Sequence, residues 1–246
     1  MAVTPKKKQL FQKPSHMTFA AKVIQQNLTL VRPSGLPLGI KTMNPYEQKE
    51  VQETVTQFYT KYFNDNNKRT LILGINPGRF GAGITGIPFT DPIRLAEVCG
   101  IPNTFNPKPE LSSLFIYEMI TAFGGPERFY QQFYINSVCP LGFTLDGKNL
   151  NYYDVPALQN ALTPYIEENI KSLIDIGLHT DFCFCLGEGK NYQFLSKFNE
   201  SKGYFGEVIP LSHPRFIMQY KLKTKGDYIN TYIKSFQENP QEMLSK

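Results

Sequence analysis

Four short apolar runs, separated by segments with helical patterning, constrain the fold of this 246-residue chain more than any other feature. Such runs, when they are bounded by turn residues, are typical of strands buried on both faces of a sheet. Strands that alternate with helices form parallel sheets covered by helices on both sides. We therefore predict a three-layer α/β/α sandwich with a central four-stranded parallel sheet. The runs are Thr70–Ile75, Phe133–Val138, Asp181–Leu186 and Glu207–Leu211, and the predicted helices among and after them cover 112–123, 126–132, 155–176, 189–199 and 226–236.

The segment before the first run predicts a helical extension. A helix is expected over 17–28, and a second begins near Pro45 and continues to Phe63. Residues 1–15 contain Lys6, Lys7 and Lys8 without an apolar stretch, so we expect a flexible basic tail rather than a secretory signal. The remaining 16–246 are expected to form a single domain.

Composition excludes several classes of protein. A hydrophobic fraction of 41% supports a real core and excludes a disordered chain. The apolar runs fall short of the roughly 18 residues that a membrane span needs, so we expect a soluble, intracellular protein. The four cysteines lack CxxC spacing, which excludes a disulfide scaffold and favours buried thiols over an iron–sulfur cluster. We expect neither a metal nor a cofactor.

Four loops follow the carboxyl ends of the predicted strands, where ligands bind in such folds. They cover 76–89, 139–144, 187–190 and 212–218. The first loop, with Gly74 before it, has five glycines in the thirteen positions 74–86, which let the backbone approach a ligand closely. It lacks the Gly-Lys-Ser/Thr of a P-loop, and Pro77 interrupts a dinucleotide fingerprint.

Three polar residues at this edge each allow two interpretations. Asn136 either braces a neighbouring loop or offers its amide to a ligand. His213 is either a satisfied structural histidine or a functional one, favoured by its place at a strand end. Glu188 is interpreted as an acid that interacts with a helix dipole rather than as part of a site.

Positive charge is concentrated in one part of the body. The formal charge is +5, but four lysines of the tail supply most of it. The stretch from Arg215 to Lys225 contains four cations and no acid. It is either an edge that contacts phosphates or a solvated loop.

The motifs at this edge resemble those of the single-strand-selective monofunctional uracil-DNA glycosylases. The resemblance spans about residues 43–236. It departs at the second signature, where the family usually has His-Pro-Ser-Pro-Arg and this chain has His213-Pro214-Arg215, so we expect a shorter or differently shaped loop. The matching motifs are Asn44-Pro45-Tyr46-Glu47, Gly74-x-Asn76-Pro77-Gly78-x-Phe80-Gly81 with Thr85-Gly86-x-Pro88-Phe89, Asn136-x-x-Cys139-Pro140-Leu141, and His213-Pro214.

The resemblance implies the uracil-DNA glycosylase fold and a base-excision reaction on uracil or a related deaminated base in DNA. It implies that Asn76 holds a water, that His213 donates a hydrogen bond to the departing base, and that both are catalytic. Asn136 would then read the base edge, and Phe89 would stack on the flipped base. Further substrate-binding residues implied by the first signature are Gly74, Ile75, Gly78, Phe80 and Gly86, and the expected DNA-binding residues are Ser212, Pro214, Arg215, Phe216, Ile217, Met218, Lys221 and Lys223.

Three hypotheses therefore stand. The first is a monofunctional DNA glycosylase that acts as a monomer on single- or double-stranded DNA, in the cytoplasm and on the nucleoid. The second is a catalytically weak or inactive protein of the same fold that binds nucleic acid. The third is an unrelated α/β enzyme that acts on a free nucleotide, which only the glycine-rich loop suggests.

Overall fold

The computed structural model describes residues 17–238, so the predicted basic tail 1–15 lies outside the described residues. The described chain alternates between helices and strands in the predicted order, with an additional small sheet. The strands are β1 (Lys41–Met43), β2 (Arg69–Gly74), β3 (Phe133–Ser137), β4 (Gly142–Leu145), β5 (Lys148–Leu150), β6 (Leu178–Leu186) and β7 (Glu207–Leu211). The α-helices are α1 (Phe19–Leu28), α2 (Lys49–Phe63), α3 (Ala82–Thr85), α4 (Pro92–Glu97), α5 (Leu111–Phe123), α6 (Pro126–Gln132), α7 (Pro156–Gly177), α8 (Lys190–Lys202), α9 (Pro214–Tyr220) and α10 (Lys225–Gln237), and 3-10 turns cover Pro45–Glu47 and Leu222–Thr224.

Within residues 17–238 the central sheet contains four parallel strands in the order β3-β2-β6-β7. Two neighbouring side chains of β3 show that helices cover both faces, since successive residues of a strand point to opposite sides. Tyr134 packs edge-on against Phe19 of α1, and Phe133 packs against Phe236 of α10. The predicted three-layer α/β/α sandwich with an N-terminal helical extension is confirmed.

Helix ends follow local capping signals. Thr18 accepts a hydrogen bond from the Ala21 amide at the start of α1, and Glu110 accepts one from the Ser113 amide at the start of α5. Gly124 ends α5 in the left-handed conformation (φ 119°), which glycine adopts at little cost. These caps fix the bounds of helices that the apolar pattern located only approximately.

A three-stranded antiparallel sheet, β1-β4-β5, was not predicted. Its strands are three or four residues long, too short for alternation to be visible. Asp146 (φ 49°) and Gly147 (φ 71°) form the two-residue turn between β4 and β5. An Asp-Gly pair is a strong hairpin signal, so the sequence carried the information for this element. The predicted loop 139–144 is thus partly strand β4.

The prediction of a loop over 212–218 is wrong, because most of this segment belongs to helix α9. Pro214 occupies the first helical position, where its fixed φ is favourable and its missing N–H costs nothing. The His213 side chain caps the helix by accepting a hydrogen bond from the Arg215 amide. The same His-Pro pair that marks the second signature therefore starts a helix.

Candidate active site

A cleft of about 790 Å³ opens at the carboxyl edge of the parallel sheet. The segments that follow strands β2, β6 and β7 contribute to it, which agrees with the general position of ligand sites in such sheets. Strand β3 contributes its last residue, Ser137, whereas residues 139–144 of the predicted second loop do not line the cleft. Of the predicted site residues, eight line it: Ile75, Asn76, Gly78, Phe80, Phe89, His213, Arg215 and Phe216.

Asn76 is held by the segment that follows the hairpin. Its Oδ1 accepts a hydrogen bond from the Tyr152 amide at 3.0 Å, and its Nδ2 donates to the Leu150 carbonyl at 3.2 Å. These partners fix which end of the amide is oxygen. An amide oxygen has two acceptor positions, so one remains for a ligand or a water.

Phe89 is held in a conformation that a phenylalanine rarely adopts, with φ 54°. The Thr85 hydroxyl donates to the Thr90 carbonyl at 2.7 Å and so closes the turn around it. The ring lies over Gly74, where a Cβ would come within 2.5 Å of a ring carbon. Gly74 thus does not line the cleft but makes room for the ring that does.

His213 lies beside Phe89, with the ring centroids 6.1 Å apart. Its Nδ1 accepts from the Arg215 amide at 3.1 Å, which places the hydrogen of the neutral imidazole on Nε2. Burial, and secondly the positive charge of Arg215, lower the pKa of His213 to about 4. The side chain is therefore a neutral donor at pH 7.

Asn136 does not line the cleft, although the next residue, Ser137, does. Only 7% of Asn136 is exposed. Its Oδ1 accepts from the Ser137 amide at 2.7 Å, and its Nδ2 donates to the Tyr134 hydroxyl at 2.8 Å. Each contact uses one of two positions, so one acceptor and one donor position remain on this amide.

The three apolar residues of α9 that were expected to bind DNA differ in exposure. Phe216 is 42% exposed and lines the cleft, whereas Ile217 is fully buried and Met218 is 8% exposed. A helix turns about 100° per residue, so three consecutive side chains cannot share one face. Ile217 and Met218 belong to the core, so of these three residues only Phe216 is exposed to a ligand.

The basic stretch is also divided by the structure. Arg215 lines the cleft, and Lys221 and Lys223 are exposed but do not line it. Lys225 forms an ion pair with Glu118 and is only partly exposed. Of the four cations, three are therefore exposed, and one of these lines the cleft.

The remaining predicted residues support the cleft from outside. Gly86 has φ 72° and packs against Val51 and Val55, so it closes a turn rather than touching a ligand. Pro214 is buried in α9, and the Ser212 hydroxyl donates to Glu188 at 2.6 Å. Glu188 lines the cleft and lies just before α8. Its carboxylate therefore has the Ser212 hydroxyl as a partner, in addition to the helix dipole with which the sequence analysis associated it.

Sequence reasoning missed the wall of the cleft formed around the hairpin. The signal was the Asp-Gly turn, which would have brought these residues to the edge of the sheet. The missed lining residues on and after the hairpin are Lys148, Asn149, Asn151 and Tyr153, whereas Arg79 and Lys190, which also line the cleft, lie in the predicted loops 76–89 and 187–190.

The described residues contain no group of three or more His, Cys, Asp or Glu side chains that could hold a metal ion. Cys99, Cys139, Cys183 and Cys185 are buried and free. None of the helices in the described part of the chain has the length and apolar character that crossing a membrane demands.

Comparison with known proteins shows the following similarities. Residues 60–237 match the profile of the Uracil DNA glycosylase superfamily. The crystal structure of wild-type Pedobacter heparinus SMUG2 superposes with a TM-score of 0.88 at 54% identity, over 90% of this chain and 98% of that one.

Two curated relatives are named single-strand selective monofunctional uracil-DNA glycosylase. The protein from Rattus norvegicus is 30% identical over 139 residues, which are 49% of this chain and 49% of the relative. The protein from Mus musculus is 28% identical over 160 residues, 58% of this chain and 53% of the relative. The matched region thus spans about half the length of these relatives.

Proposed function

Because this chain belongs to the uracil-DNA glycosylase superfamily, we propose that it is a monofunctional DNA glycosylase. It hydrolyses the N-glycosidic bond of uracil, or of a related deaminated base, in DNA and leaves an abasic site. The observation that carries this proposal is the meeting of Asn76, Phe89 and His213 in one cleft, from two loops separated along the chain by more than half its length.

His213 is proposed to stabilise the departing base. Cleavage of the bond between base and deoxyribose is largely dissociative, so the sugar becomes cationic and the base leaves as an anion. A neutral imidazole with its hydrogen on Nε2 can donate to the base oxygen on which this charge develops. Removal of a preorganised donor of this kind costs roughly 3–4 kcal/mol of transition-state stabilisation.

Asn76 is proposed to hold the water that attacks the sugar carbon. The Tyr152 amide occupies one acceptor position of Oδ1, and the other can accept from the water. A cationic sugar needs an oriented water more than a strong base, so an amide is sufficient.

Asn136 and Phe89 are proposed to recognise the base. The positions left free on the Asn136 amide are one acceptor and one donor, which match N3–H and O4 of uracil. Cytosine reverses both, and each buried group left unpaired would cost roughly 1–3 kcal/mol. Phe89 offers a ring face for stacking, beside His213.

DNA is the proposed partner, and α9 is the element proposed to meet it. Phe216 would enter the gap that the flipped nucleotide leaves in a duplex, and we call it the wedge residue. Arg215, Lys221 and Lys223 would contact phosphates. We further propose that residues 16–246 act as one domain and as a monomer, in the cytoplasm and on the nucleoid.

The test is base release from oligonucleotides that contain a single uracil, either single-stranded or paired with guanine or adenine. Abasic products break in alkali, so strand cleavage after alkali at the uracil position is the expected result. Parallel oligonucleotides with xanthine, hypoxanthine or cytosine define the range of bases. DNA that is retarded but intact would indicate a binding protein instead of a glycosylase. DNA that is neither bound nor cleaved would leave the third hypothesis, a reaction on a free nucleotide, as the one to test.

A further inference from the structure

Arg79 is a cation on the wall of the cleft that is held by several contacts. Its guanidinium donates to the Gly147 carbonyl, and the guanidinium carbon lies 4.8 Å from the centre of the Phe80 ring. Its main-chain amide donates to Asn149 Oδ1 at 3.2 Å. Contacts to the hairpin turn, to β5 and to the next side chain therefore hold an exposed arginine in one place.

This cation lacks an internal counter-charge. In the described range 17–238 no carboxylate forms an ion pair with Arg79. Of the acids near it, Asp146 is exposed at the turn, and Glu110 caps α5 through the Ser113 amide. Lys108, 5.0 Å from the same Phe80 ring, adds a second positive charge to this wall.

The guanidinium has five N–H donors, and the Gly147 carbonyl takes one of them. A planar fork of unused donors matches the oxygens of a phosphate, and an arginine that is already ordered loses little entropy on binding one. The chemistry of this wall is therefore that of a phosphate-binding surface.

The sheet order brings Arg79 and Arg215 to the cleft from strands that are not neighbours. Arg79 follows β2 and Arg215 follows β7, with β6 between these strands. Neighbouring strands lie about 4.8 Å apart, so the two loops begin about 10 Å from each other. Both side chains line the same cleft.

We propose that Arg79 binds a phosphate of the substrate strand on the side of the flipped nucleotide opposite to the phosphates near Arg215. The strand backbone then crosses the mouth of the cleft between two arginines. This inference rests on the proposed function for the identity of the strand, and it adds a contact that the signature motifs do not contain, because position 79 lies between Gly78 and Phe80 of the first signature.

The test is a scan of single neutral linkages. The probe is a single-stranded oligonucleotide with a tetrahydrofuran abasic-site analogue, in which one methylphosphonate replaces one phosphate at a time on either side. We expect a methylphosphonate at one linkage to reduce the affinity of the wild-type protein about tenfold, as the loss of one charge-assisted contact predicts. The same substitution should leave the affinity of Arg79→Ala unchanged. Arg79→Ala should also reduce the logarithmic salt slope on single strands by about 0.7.

Arg128→Ala is the matched control, since Arg128 is an exposed arginine near the face of Phe123. It lies in α6, before β3, and thus at the opposite edge of the sheet. We expect this variant to keep the wild-type methylphosphonate pattern. The proposal is overturned if Arg79→Ala keeps that pattern too, or if its salt slope equals that of Arg128→Ala.

The binding assay involves no turnover, so its outcome is separate from that of the proposed function. If the protein binds with the expected pattern but releases no uracil, the Arg79 contact is supported and the proposed reaction is wrong. If the protein releases uracil but Arg79→Ala binds as wild type does, only the proposed Arg79 contact is wrong.

Discussion

The side-chain amide of Asn76 explains why an asparagine, rather than an aspartate, suits this position. Its Nδ2 donates to the Leu150 carbonyl at 3.2 Å, so an aspartate would place a carboxylate oxygen against that carbonyl. We expect Asn76→Asp to lower the single-turnover rate at least about a hundredfold, as much as Asn76→Ala, although a carboxylate is the stronger base.

Binding to uncleavable DNA serves as the control, because the role proposed for Asn76 lies in the transition state. Both variants should bind within a few-fold of wild type. An Asn76→Asp protein with a rate near wild type would show that the Leu150 contact does not govern the choice of side chain.

The lowered pKa of His213 gives a pH prediction. Burial lowers this pKa to about 4, so the imidazole stays neutral at pH values where an ordinary histidine, with a pKa near 6.5, gains a proton. We expect the single-turnover rate to show no inflection near pH 6.5, and His213→Gln to be at least about a hundredfold slower at pH 7. An inflection near 6.5 that disappears in His213→Gln would contradict this assignment.

Stability should change with pH in the same range. Between pH of about 6.5 and about 4, the unfolded chain binds a proton at His213 that the folded chain does not, so the free energy of unfolding falls as the pH falls. Urea denaturation at pH 7 and pH 5 should show a smaller loss for His213→Gln than for wild type.

Hairpin β4–β5 and the segment after it connect the two halves of the site through Tyr152. Its amide holds Asn76, and its hydroxyl donates to Asn191 Oδ1 at 2.9 Å. Asn191 in turn lies against Gly187, which packs next to His213. Tyr152→Phe keeps the amide and the ring but removes the second contact.

We expect Tyr152→Phe to reduce the single-turnover rate about tenfold or more while DNA affinity stays near wild type, because loss of a buried hydrogen bond costs roughly 1–3 kcal/mol. Tyr204→Phe, which removes the bond from the Tyr204 hydroxyl to Glu167, is the control and should keep the wild-type rate. Equal rates for the two variants would limit the role of Tyr152 to its main chain.

Helix α9 places Phe216, a proposed DNA contact, next to Ile217, a core residue. Phe216→Ala should reduce excision from duplex more than from single strands, because only a duplex has a stack to hold open. Ile217→Ala should instead lower the free energy of unfolding by about 2–5 kcal/mol, as expected for a fully buried isoleucine. Excision assays and urea denaturation of both variants distinguish the roles, and exchanged results would contradict the orientation of α9.

Sequence alone located these elements unevenly. The strands β3 and β7 were predicted almost to the residue, because their apolar runs end at turn residues. Helix α9 was missed, since three apolar residues after His-Pro give no period long enough to show a helix. Phe89 and His213 were identified through motifs, and Arg79 lies in the predicted loop 76–89, whereas Asn149 became visible only when the hairpin brought it to the cleft.

The architecture of the whole chain was predictable from the alternation of runs, but its long-range contacts were not. The buried side chain of Arg69 is the main example, since a lone arginine before a strand gives no sign of burial. It donates to both carboxylate oxygens of Asp65 at 2.8 Å and to the Tyr130 carbonyl at 2.6 Å. Its guanidinium also faces the rings of Phe19 and Phe63, at 4.6 and 4.8 Å.

Phe19 therefore connects the N-terminal helix to the sheet, and its removal should affect the stability of the entire domain. The ring stacks on Phe63 at 5.7 Å and meets the edge of Tyr134 at 5.3 Å. We expect Phe19→Ala to lower the free energy of unfolding by about 3–5 kcal/mol, with circular dichroism and tyrosine fluorescence following one transition in urea. Leu28→Ala, at the exposed end of the same helix, should change it by less than about 0.5 kcal/mol.

Two separate transitions, or a decrease in the free energy of unfolding of less than about 1 kcal/mol for Phe19→Ala, would show instead that helix α1 unfolds independently of the sheet. The contacts argue against that outcome, because Tyr134 lies between Phe19 and the amide of Asn136. A helix that packs on the residue orienting a proposed base contact is part of the same cooperative core. The extension would then contribute to the site through Tyr134 and Asn136, without touching the substrate.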